Sequence, residues 1–180
     1  MRVFIAATTF LIIGVVAVSL MTKVRSRVAY DGFAGAVAEF GRLPARWARP
    51  GAALCIAAEF AVLTALAWPA AAAPGLAAAS VLFACFTIAL TAGVRRGSRA
   101  GCHCFGASST PVAWRHVMRA GSLCAVAAAA AGCALVSPSA PLTALGAQQA
   151  LIASVVALAG AAALVWLDDL IWLFRGTTST

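Results

Sequence analysis

Five apolar stretches divide the chain, and the polar positions gather at the joints between them. Residues 3–21, 51–68, 74–94, 117–136 and 147–167 each match the ~20 residues that a helix needs to cross a bilayer. The first could be mistaken for a leader. Its cations, however, follow the apolar run (Lys23, Arg25, Arg27), with Arg2 alone before it, and a signal peptide has the opposite flanks. It reads as a retained helix.

The joint between stretches one and two has its own period. Tyr30, Phe33, Val37 and Phe40 recur at helical spacing, while Asp31, Glu39 and Arg42 take other faces. Asp31 suits the start of such a helix, and Gly41 and Pro44 suit its end. A helix with aromatics on one face and arginines beside it is expected to lie in the membrane interface, covering the end of the bundle. The fourth stretch has a start signal in Thr110 as cap and Pro111 at the first helical position. Trp114 then falls at interface depth, as an aromatic-belt residue does.

Composition agrees with this pattern. The 180 residues are 63% hydrophobic and 10% charged, against about 45–50% and about 25% for a soluble domain. So apolar a chain cannot hide its surface from water, and the lipid bilayer is its first partner. The net charge of +8 is therefore no sign of nucleic acid binding. Twelve of the thirteen cations lie in the first joint, in the joint between stretches three and four, or after stretch five. Only Arg2 falls on the other side, so the positive-inside rule puts the N-terminus outside and both basic joints and the C-terminus in the cytoplasm. Alanine and glycine, including Gly93, Gly121, Gly132 and Gly160, let helix backbones approach closely in lipid.

Candidate chemistry is concentrated in Gly101-Cys102-His103-Cys104-Phe105-Gly106. Cys55, Cys85, Cys124 and Cys133 sit inside apolar runs and read as small buried hydrophobes. Cys102 and Cys104 alone lie in a polar joint. A bridge between them would close a tight ring, and strained disulfides are the labile, catalytic ones. The surrounding arginines favour thiolate. Cys102, His103 and Cys104 with His116 also form a soft ligand set for zinc or copper(I), although one residue between thiols is fewer than structural zinc sites use. Reduced, idle thiols in a tight loop are the third reading.

Three further residues support the site. Glu59 falls near the middle of the second stretch with no cation beside it in sequence, at a cost of about 2.5–3.5 kcal/mol for a charge there. With no partner in view, it is expected to be neutral or hydrogen-bonded across the bundle. Arg115 and Arg119 share one helix face. They either snorkel to lipid phosphates or border an anionic or thiolate site. Asp168 and Asp169 close the fifth stretch and need only solvent. His103 and His116 both fall outside the bilayer core, so no haem site is expected, and no cofactor is called for.

These residues together resemble the methylamine utilisation protein MauE family, related to the DoxX-like membrane proteins. Gly14 and Lys23 match a glycine and a basic residue closing the first helix, and Leu43-Pro44 matches the end of a Phe-rich segment. Glu59 matches a glutamate in the second helix. Cys102-His103-Cys104-Phe105-Gly106 stands where the family has Cys-Gly-Cys-Phe-Gly, and Trp114, Arg115 and Arg119 match a Trp-Arg pair with a following arginine. His103 replaces the central glycine, and Ala120 sits where an asparagine often follows.

The resemblance implies an all-α, polytopic membrane bundle. It covers roughly Phe10 to Leu135 and so a four-helix MauE-like domain over residues 1–136; the fifth stretch lies beyond the resemblance, and its apolar length alone reads 137–180 as a fifth spanning helix and short cytoplasmic tail. The resemblance also implies thiol-redox-linked maturation or export of a partner such as the methylamine dehydrogenase small subunit, with Cys102 and Cys104 as the redox pair. Whether that makes the protein an enzyme stays open. A disulfide for an exported client belongs on the oxidising face, whereas the charge count puts both cysteines in the cytoplasm. A thioredoxin-like partner would reconcile the two. A non-catalytic scaffold or escort subunit and a metal-handling protein are the alternatives.

Overall fold

In the computed structural model, the described residues are 1–98, 112–136, 146–149, 151–160 and 162. Four long helices carry the chain: α1 (Arg2–Val24), α3 (Ala45–Ala67), α4 (Ala72–Arg95) and α5 (Trp114–Val136). Each is long and apolar enough to cross a membrane. A shorter helix, α2 (Arg27–Gly41), lies between α1 and α3, and a single 3-10 turn (Pro69–Ala71) reverses the chain between α3 and α4. The fifth apolar stretch is helical at 147–149, 151–160 and 162, and its other positions to 167 lie outside the described residues.

The four long helices close a ring in the order α1, α3, α4, α5, with α5 returning to α1. The core at its centre is built from Ile5, Ile12, Val16, Leu66, Leu76 and Phe83, with Ala127 and Ala130 letting α5 come close. Hydroxyls inside the spans are satisfied locally: Thr9 donates to the Ile5 carbonyl, Thr87 to Phe83 and Thr91 to Thr87. Gly75 is needed where α4 meets α3, because a Cβ there would lie 2.9 Å from Leu66 Cδ2.

The joint read as amphipathic is indeed a helix, but its ends differ from expectation. Its cap lies five residues earlier, at Ser26, whose hydroxyl accepts from the Ala29 N–H at 3.1 Å. Asp31 instead pairs with Arg49 on α3. The left-handed residue that ends the helix is Arg42 (φ 53°), one position after Gly41, and the Leu43 N–H returns to the Ala38 carbonyl at 2.8 Å. α5 likewise begins later than Pro111 suggests. Thr110 and Pro111 lie outside the described residues, and the start is built from His116, whose Nδ1 accepts from the Ala113 N–H at 3.1 Å. That is the backward half of a capping box, with an imidazole in place of the usual carboxylate or amide.

α2 is held against the bundle at both ends. Phe33 and Ala34 pack on Ala52 of α3, and the Tyr30 hydroxyl donates to the Arg49 carbonyl at 2.8 Å. At its far end Arg96, just beyond α4, donates to the Phe40 carbonyl at 2.9 Å, and Ser98 bonds Glu39. Gly93 lets Phe40 lie flat on α4, since a Cβ there would meet Phe40 Cδ1 at 2.7 Å.

Candidate functional site

Cys102, His103 and Cys104 lie outside the described residues. Their anchors do not. The chain leaves the described residues after Ser98, which bonds Glu39, and resumes at Val112, which packs with Leu90, Val117 and Ala120, with Phe40 against them. Both flanks are thus fastened to the C-terminal end of α2.

Directly beneath α2 is the polar centre of the bundle, its polar groups supplied by α1 and α3 and its aromatic walls by α2 and α4. Lys23 on α1 and Glu59 on α3 form an ion pair, and each residue is 1% exposed. Ser19, one turn before Lys23, accepts from the lysine Nζ at 2.9 Å and donates to Glu59 Oε1 at 3.4 Å. The ammonium lies 4.5 Å from the centre of the Phe33 ring of α2 and 5.5 Å from that of Phe86 on α4. A cation over aromatic faces is attracted by their quadrupoles, most strongly when desolvated. The ammonium therefore has three kinds of partner, a carboxylate, a hydroxyl and two rings.

Glu59 is thus hydrogen-bonded across the bundle, one of the two forms expected of it, and its donors include a cation that the sequence did not point to. Lys23 is the partner, and it was missed because its position in sequence put it among the loop cations. The α1 helix runs through Lys23 to Val24, and α2 folds back over it, turning an end-of-helix lysine into a core residue.

Glu59 Oε1 takes both donors, whereas Oε2 has no hydrogen-bond partner among the described residues. Glu59 lines a cavity of about 40 Å³ together with Ser19, Phe86, His116 and Arg119. A single water needs roughly 10–15 Å³ on this measure, so several would fit. His116 and Arg119 are 5% and 7% exposed. The structure therefore brings Arg119, Glu59 and His116 to one cavity; of the two readings of Arg119, snorkelling to lipid phosphates gives way, and a place on a cavity that a carboxylate lines agrees with bordering an anionic site. Arg115, half-buried, is not part of that wall.

The remaining cysteines are less uniform than expected. Cys124 donates from Sγ to the Ser80 carbonyl at 3.3 Å across the α4–α5 contact, but Cys85 is exposed rather than buried. Cys55 and Cys85 both face an apolar cavity under α2, which sequence spacing gave no means of seeing. No group of three or more metal-ligating side chains occurs among the described residues.

Four spanning helices closed on a buried lysine–glutamate pair define a multi-pass membrane protein with a polar centre. The chain belongs to the methylamine utilisation protein MauE family, whose sequence model matches residues 1–135. That span contains Lys23, Glu59, the cysteine segment and Arg119. No curated protein and no solved structure matches the chain.

Proposed function

We propose that this protein serves thiol-redox-linked maturation or export of a partner protein through Cys102 and Cys104, a partner such as the methylamine dehydrogenase small subunit. The observation that carries the reading is the double anchorage of the cysteine segment. Ser98 bonds Glu39 and Val112 packs in the cluster that Phe40 lies against, so both flanks come to the C-terminal end of α2. A thiol pair that exchanges with a partner's disulfide must be presented repeatedly in one place, and a rigid support does this better than a free loop. The exchange is balanced: a disulfide between Cys102 and Cys104 accepts two electrons and two protons from a client dithiol, which becomes a disulfide. A thioredoxin-like partner supplies the disulfide that restores the pair.

The orientation belongs to the same reading. Lys23 and Arg119 are buried and leave the count of loop cations, so ten remain against Arg2. The rule still puts the basic end, and with it the cysteine segment, in the cytoplasm. α2 then lies at the cytoplasmic interface, and the partner meets the pair on that side.

A second reading, a non-catalytic escort, rests on Val28, 83% exposed at the start of α2, and on Trp47, exposed at the start of α3. As for a metal, His116 has its Nδ1 engaged by the Ala113 N–H, so a ligand role beside Cys102, His103 and Cys104 competes with its place at the start of α5. The deciding experiment replaces Cys102 and Cys104 by serine, singly and together. The disulfide state of the client is then read by alkylation and mass shift. We expect both single variants to leave the client with free thiols. Normal client disulfides in the double variant would end the redox reading and favour the escort.

A further inference from the structure

Beside the turn from α1 into α2, on the side away from α4 and α5, a groove of about 770 Å³ opens between α1, α2 and α3. That is within the ~300–1,000 Å³ of ligand sites. Its rim is charged and its floor is not. Arg27 and Arg49 stand at the rim, with Asp31 as the acidic group held by Arg49 at 3.1 Å. Two guanidiniums against one carboxylate leave the rim positive, and Arg25 and Arg46 lie exposed nearby in sequence.

The floor is a stripe on α3 that runs inward from Arg49 through Ala53, Ala57 and Phe60, flanked by Leu20 of α1. These positions step by four, four and three residues and so share one face of the helix. From Arg49 to Phe60 is eleven residues, or about 16 Å at 1.5 Å per residue. Half of a ~30 Å hydrocarbon core is about 15 Å, so the stripe is one leaflet deep. Ala53 and Ala57 make it a trough, and Phe60, 59% exposed, stands at its inner end. The trough is preformed, because the Tyr30–Arg49 and Asp31–Arg49 bonds hold α2 to α3 at its mouth.

We propose that this groove binds one anionic phospholipid, its phosphate between Arg27 and Arg49 and one acyl chain along Ala53 and Ala57. A positive rim at headgroup level over an apolar trough one leaflet deep matches that ligand in charge, polarity and length. The bound chain would wedge α1 from α3 on the side opposite the Glu59 cavity and steady the α1–α2 turn that covers Lys23.

The test is native mass spectrometry of the full-length protein from detergent, with phosphatidylglycerol or phosphatidylcholine added at equal concentration. We expect one retained phosphatidylglycerol, preferred about fivefold, the factor that about 1 kcal/mol per basic residue at an anionic surface represents. Arg27→Gln should remove most of that preference. Ala57→Leu should reduce retention of both lipids and leave their ratio unchanged, and Ala53→Leu gives the same reading if Ala57→Leu does not fold. Equal retention of the two lipids by the wild type, or full retention by a folded trough-filling variant, overturns the proposal. So does a dimer that Ala57→Leu abolishes, because the groove would then seat a second copy of the chain.

Discussion

Lys23 and Glu59 present the sharpest energetic test. Removing one member of a buried ion pair leaves the other charge in a low-dielectric site and costs about 3–5 kcal/mol, whereas replacing both with apolar or neutral groups of similar size is often neutral. The surroundings here make the singles severe. In Lys23→Met, Glu59 keeps only the Ser19 hydroxyl at 3.4 Å. In Glu59→Gln, an ammonium enclosed by Phe33 and Phe86 loses its counter-charge. For a chain of this size each kcal/mol is roughly 2–4 °C, so each single variant should unfold about 6–20 °C lower, read by circular dichroism in detergent. Additive singles would put the double variant Lys23→Met/Glu59→Gln twice as low, but a coupled pair puts it near the wild type. A double variant as unstable as the sum, or a single variant within about 1 kcal/mol of wild type, would refute the pairing as the organiser of the core. If the double variant folds but leaves the client unprocessed, the pair also serves the site and not only the fold.

Three further outcomes follow from the same structure. Gly93→Val should cost about 1–3 kcal/mol by forcing Phe40 off α4, and Phe40→Leu should restore part of it; unchanged unfolding of Gly93→Val would mean that α2 is not seated there. Single cysteines at 102 and 142, probed from outside with a membrane-impermeant thiol reagent, should react at 142 and not at 102, and the reverse pattern would invert the orientation. Redox titration with alkylation and mass readout should find a Cys102–Cys104 bridge more easily reduced than structural disulfides, which lie below about −300 mV, and His103→Gly should relax the turn. A pair that forms no bridge at any poise while retaining stoichiometric metal would move the assignment to a metal site.

What the chain declares by itself is what local chemistry can encode. Apolar length alone marks α1, α3, α4 and α5, because the bilayer fixes how many residues a span needs. The period of Tyr30, Phe33, Val37 and Phe40 marks α2, because one face must be apolar. The family resemblance was carried by residues such as Glu59, Leu43-Pro44 and Trp114-Arg115. Tertiary structure decided what those residues meet. Glu59 looked partnerless because Lys23 is 36 positions away and stands beside loop arginines; only the folding of α2 over the end of α1 makes that lysine a core residue. Arg119 looked like a surface arginine because its helix starts at the membrane edge, yet the packing of α5 on α4 turns it into the cavity that Glu59 lines. Helix periodicity tells which residues share a face. Which face turns inward, and what waits there, is set by the ring of neighbours, and no window of sequence contains that ring.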